Sequence, residues 1–160
     1  MRTFIALILL FSAAGLAAAQ TGAQKKAEPP KTREELMQRV LLTALANIEK
    51  IRCADGKACA PATDAEKKNP PLTLAETSQV FGRGILSGGA AYCEMDWNKR
   101  NYLPMMAHWQ EKMKKNDRQL ALVSLVHDIA KDQLIAEFWG KGKCPDEMRK
   151  DIESKLNFKP

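Results

Sequence analysis

Met105, Met106, His108 and Met113 bring thioethers and an imidazole together in one short stretch. In an oxidising compartment such soft ligands suit Cu(I). Met105 and His108 stand three apart, which puts them on one face of a helix. They are the candidate copper ligands, with His127 a remote further one. Met106, Trp109 and Met113 would line a second stripe of the same helix, a candidate surface for a peptide or apolar ligand. Methionine more commonly fills irregular cores, so packing is the first reading and copper the runner-up. For His127, a satisfied histidine in or beside the core is the first reading.

The four cysteines are Cys53, Cys59, Cys93 and Cys144. Their uneven spacing argues against zinc, and no Cys-x-x-Cys pair is present for redox or haem chemistry. An even count in an exported chain reads as two disulfides. Three pairings are open. Cys53–Cys59 with Cys93–Cys144 is preferred, because the short loop closes easily and the long one restricts the unfolded chain more.

Other motifs lead to structure before chemistry. Glu94 and Asp96 resemble the paired carboxylates of glycoside hydrolysis, but residues two apart on a helix do not face each other. The run Gly82-Arg83-Gly84-Ile85-Leu86-Ser87-Gly88-Gly89 lacks the preceding strand and the Lys-Ser/Thr ending of a phosphate loop. Two outcomes are open: the helix that carries the run breaks near Gly88-Gly89, or Gly84 and Gly88, four apart, let another helix approach closely, which is the preferred reading. Ser78, Ser87 and Ser124 sit in no nucleophile motif, although His108 or His127 could meet a serine in three dimensions.

These residues need helices to position them. Thr32 and Glu35 have capping-box spacing, and apolar residues at helical intervals follow over about 33–52. From Cys53 to Leu72, Gly56, Pro61, Pro70 and Pro71 predict a loop. Thr73 and Glu76 repeat the box and start a second helix that carries the glycine run. A turn near Asn98 to Asn101 leads to a third helix over about 103–115, with Pro104 in its first turn. Asn116 or Asp117 caps a fourth helix, about 118–139, which has the strongest apolar surface and is the expected central element. Gly140 and Gly142 end it, and Pro145 opens a last helix. The fold expected is all-α: a single compact domain of about five helices, disulfide-stabilised.

The chain opens with an address. Met1-Arg2, an apolar run from Thr3 to Leu16 and Ala17-Ala18-Ala19 form a cleavable secretory signal peptide over 1–19. The run is too short for a stable anchor, so no transmembrane anchor is expected after cleavage. No cysteine near the cut would take a lipid. Residues 20–31 read as a flexible leader and 32–160 as the helical domain. The expected location is the periplasm or outside the cell. The formal charge of +6 favours acidic partners or surfaces. No dense basic patch or aromatic platform supports nucleic-acid binding.

Together these features predict a non-catalytic periplasmic binding, adaptor or accessory protein. Its partner would be an envelope or periplasmic protein, a peptide or an apolar ligand. A copper-binding protein using Met105 and His108 is the alternative, and a small exported enzyme the third. No cofactor beyond that candidate copper is expected. Reduction of both disulfides is expected to destabilise the domain by about 3 kcal/mol or more, mainly through the longer loop. An unchanged denaturant midpoint after verified reduction would contradict the cross-linked reading.

Overall fold

Helix boundaries in this chain follow the polar side chains at their ends. The computed structural model describes residues 29–53 and 56–160. The expected signal peptide, residues 20–28 of the leader and Asp55 lie outside the described residues. The fold is an all-α domain of six helices, with no sheet among the described residues.

Helix α1 spans Arg33–Ala46. Thr32 Oγ1 accepts the Glu35 amide, but the Glu35 carboxylate reaches past Thr32 to the Lys31 amide. The expected helix to residue 52 is shorter. Asn47 Nδ2 donates to the Thr43 carbonyl at 2.7 Å, and the chain tightens into a 3-10 turn at Ile48–Lys50. A side chain that binds nearby backbone competes with helix continuation.

Helix α2, Asp64–Lys68, lies inside the segment expected to be loop. It has a full capping box from Thr63 and Glu66, and it buries no residue of its own. With no apolar stripe, periodicity had nothing to detect. Arg118, from a later helix, ties it down by gripping Glu66 and donating to the carbonyls of Ala60 and Pro61. The hydrogen bond from Arg118, with help from Thr63, outweighs burial and holds Glu66 down at a pKa of about 2.

Helix α3 is continuous over Leu74–Tyr92, glycine run included, and opens on the Thr73–Glu76 capping box. Glu94 ends it in the left-handed region, φ 57°, a position usually given to glycine because a Cβ costs roughly 1 kcal/mol there. The Met95 amide then reaches back to the Ala90 carbonyl at 2.8 Å. Between Trp97 and helix α4, Leu103–Glu111, the expected turn is a π-helical turn over Asn98–Tyr102 that runs directly into α4. Pro104 would leave the Arg100 carbonyl, four residues back, without its helical donor. The Phe158 amide takes that carbonyl at 2.9 Å and docks the C-terminal segment on α4.

Helix α5, Asp117–Phe138, is the longest, capped by Asn116 with Gln119. It packs on α1, α3 and α4, as expected of a central helix. Leu122, Val123 and Val126 are its fully buried apolar face, in a core shared with Leu41, Leu45, Val80 and Met105. Gly140 and Gly142, both at positive φ, carry the chain towards helix α6, Asp146–Leu156. Ile152 and Leu156 of α6 form a second apolar cluster with Ala90 and Cys93. The disulfides are Cys53–Cys59 and Cys93–Cys144. The first closes a small loop, at whose base Arg52 and Ala58 form one isolated antiparallel bridge. The second ties the end of α3 to the start of α6.

The glycines of α3 set the α3–α5 distance. A Cβ on Gly84 would collide with the His127 carbonyl and stand 2.7 Å from the Ala130 Cβ. On Gly88 it would fall 2.7 Å from the Lys131 carbonyl oxygen. On Gly82 it would meet nothing within 4 Å. Gly84→Ala is therefore expected to lose about 2 kcal/mol or more in urea unfolding, while Gly82→Ala gains roughly 0.5–1 kcal/mol. Equal midpoints for the two variants would refute the close-packing account.

Candidate functional site

A chain of polar side chains crosses the α3–α5 interface. Ser87, Asn101 and His127 have no solvent exposure. Ser87 faces α5 because it stands between Gly84 and Gly88 on the close-packed side of α3. The π-helical turn carries Asn101 to the same place. Asn101 Nδ2 donates to Ser87 Oγ at 2.7 Å and to the Arg83 carbonyl at 2.8 Å. Asn101 Oδ1 accepts from Arg83 Nε. His127 Nε2 meets Ser87 Oγ at 2.9 Å, and its Nδ1 meets the Asp128 carboxylate at 3.2 Å.

One proton arrangement satisfies this set. A carboxylate only accepts, so Nδ1 carries the proton towards Asp128. Nε2 then accepts from Ser87, and Ser87 accepts from Asn101. Burial by itself would raise Asp128, but hydrogen bonds from His127 and Lys131 outweigh it and hold its carboxyl below the ordinary value. Tyr102 and Trp97 flank the imidazole at 4.8 and 5.8 Å. Lys131 stands 4.8 Å over Trp97.

Ser87, His127 and Asp128 thus have the order of a hydrolase relay: serine, imidazole, carboxylate. A nucleophile also needs a substrate within reach. Ser87 and His127 are sealed inside the protein, and Ser87 Oγ is held between Asn101 and His127. Sequence left open which serine meets which histidine, because the pairing of Ser87 with His127 depends on how α3 docks.

The sequence-predicted residues separate in space. Met105 is wholly buried in the main apolar core. His108 is half-buried and rests against Phe158, ring centroids 5.5 Å apart. His127 has both ring nitrogens engaged in the polar chain. Among the described residues no three His, Cys, Asp or Glu side chains gather as a metal cluster. The expected surface stripe is divided. Trp109 is only 3% exposed and belongs to the core, Met106 is half-buried, and Met113 is exposed. Glu94 and Asp96 are also apart in role: the first terminates α3, and the second accepts the Lys99 amide at 3.1 Å.

Two recesses open beside these elements. Met106 lines one of about 310 Å³ with Ile51, Arg52, Tyr102, Asp117 and Leu120. The other, about 280 Å³, lies between α3, α4 and the C-terminal segment. Gln79, Arg83, His108, Trp109, Phe158 and Lys159 line it. Sequence reading missed Arg83 and Phe158, for their meeting depends on the free carbonyl left by Pro104. It also missed Trp139, which is 85% exposed after α5. An aromatic residue before the Gly140 turn was the available signal.

Comparisons with protein-family models, with curated proteins and with solved structures find no match.

Ser87→Ala leaves His127 Nε2 without a donor and Asn101 short of one acceptor. It is expected to cost about 2 kcal/mol in denaturant unfolding. Ser124→Ala loses only the half-buried Tyr102 hydroxyl contact of 2.8 Å, and should cost roughly 1 kcal/mol or less. An undiminished midpoint for Ser87→Ala would mean the polar chain contributes nothing to folding.

Proposed function

We propose that this chain is a non-catalytic binding or accessory protein of the cell envelope that takes its ligand in the recess between α3, α4 and the C-terminal segment. One observation carries the reading: Ser87 and His127 are sealed from solvent, while the Arg83–His108–Phe158 recess is open. Its volume of about 280 Å³ is near the lower end of ligand pockets, roughly 300 Å³. Aromatic walls with a few polar groups are the usual lining of such pockets. Two disulfides suit an oxidising compartment, in keeping with the expected signal peptide. No helix among the described residues is long and apolar enough to cross a membrane.

Copper binding by Met105 and His108 remains the second reading. No hydrogen-bond partner engages the His108 ring nitrogens among the described residues, which favours it, whereas the full burial of Met105 disfavours it.

The test is mass spectrometry, under native conditions, of the mature protein isolated from the compartment it is exported to. A retained small organic molecule, lost from Phe158→Ala, is the expected result. Copper retained by the wild type and lost when Met105 and His108 are both changed to Ala would put the copper reading first. Turnover of an ester, phosphoester or glycoside that Ser87→Ala abolishes would overturn the non-catalytic reading.

A further inference from the structure

We infer that the recess between α3, α4 and the C-terminal segment selects a small carboxylate with a flat apolar body, held by the guanidinium of Arg83. The inference rests on the binding reading and names the ligand class of the same site.

Arg83 is the centre of the argument. It is a partly buried cation, and burial pulls its pKa below the ordinary value. Buried charges normally have a partner of opposite charge. Arg83 has only neutral ones: Asn101 Oδ1, the Lys155 carbonyl at 3.2 Å and the Leu156 carbonyl at 2.9 Å. The two carbonyls end α6, whose dipole offsets about half a charge. No carboxylate pairs with Arg83 among the described residues. A guanidinium has five N–H groups in a fixed fork. Three are committed to protein, which leaves one on each Nη nitrogen for the oxygens of a ligand.

The surroundings favour an anion as well. His108 and Lys159 line the recess with Arg83, and Gln79 adds an amide. No acidic side chain lines it, and Pro160 of the C-terminal segment completes the lining. His108 carries at least one ring N–H in either tautomer. Lys115, which stands 6.0 Å from the Trp109 ring centroid, already pairs with Glu76 at 2.6 Å. The walls are aromatic. Phe158 lies between the Arg83 guanidinium, 5.2 Å from its ring centroid, and the His108 imidazole. Trp109 closes the core side. Such rings prefer to stack on or meet the edge of another flat group, which excludes neither size nor chemistry beyond planarity and a negative head.

The experiment titrates the mature, oxidised chain with sodium benzoate and, separately, with benzamide, its neutral counterpart of the same shape. The Trp109 indole and His108 ring signals are followed by NMR. Benzoate is expected to give a saturable shift of both, and benzamide to bind roughly ten-fold or more weaker. Arg83→Met should abolish that preference. Because Arg83 also caps α6, Lys159→Ala serves as a second variant that leaves those hydrogen bonds intact; it should weaken benzoate and leave benzamide unchanged.

Equal affinities for benzoate and benzamide would overturn the carboxylate assignment while leaving a binding recess in place. Inorganic phosphate as tight as benzoate would overturn the flat-body requirement. No shift with either aromatic probe would overturn the inference, and the search for a co-purified molecule would then decide the binding reading on its own. A response that emerges only after removal of Lys159 and Pro160 would show that the tail fills the recess, and would overturn it too.

Discussion

At Gly84 and Gly88 the backbone of helix α3 lies directly against the carbonyls and Cβ atoms of helix α5. The carbonyls of His127 and Lys131 occupy the space where a Cβ would otherwise stand. Glycine weakens a helix interior by roughly 0.5–1 kcal/mol relative to alanine. The helix tolerates that here because the close approach adds packing along its whole length and is guarded at its ends by a capping box and by the Met95 amide. Ser87 lies on the same face and so reaches His127. Gly89 leaves room for the Ile152 side chain of α6. The position of α6, and with it the Arg83 cap on its last carbonyls, follows from the same contact.

The polar chain through this interface locks the two helices together. Every buried side-chain nitrogen and oxygen among the described residues has a partner. A fully satisfied buried network rigidifies a core, whereas a half-satisfied one is worse than apolar packing. A shift of α3 against α5 by one turn would strand His127, Ser87 and Asn101 together. The network therefore selects one register from the several that apolar packing alone would tolerate. Its relay-like order is a consequence of satisfying a serine, an imidazole and a carboxylate in a row.

The recess beside this polar chain arises from two local events. Pro104 withholds a donor from the Arg100 carbonyl, and the Phe158 amide replaces it. Arg83 then finds its aromatic neighbour and the α6 carbonyls in one place. Arg100 strengthens the dock from outside with a bidentate contact to Glu153 and a bond to Asn157. Thus a helix-start proline, normally a local device, shapes a site far along the chain.

Local chemistry was legible residue by residue. The box at Thr73, a cap at Asn116, the Gly140–Gly142 stop and the five apolar helices follow from short-range rules, and the described structure agrees with them; of the three open cysteine pairings, the preferred one is formed. The Thr63–Glu66 box was equally legible, but α2 has no buried face to draw attention to it. The amino-acid sequence by itself thus determined the helices, their caps and the means for one close helix crossing. It did not determine that Trp109 turns into the core, that Met105 and His108 face different surroundings, or that Ser87 finds His127. Those outcomes depend on the rotation and register of whole helices, which only tertiary packing decides, because the contacts that fix them join residues far apart in the chain.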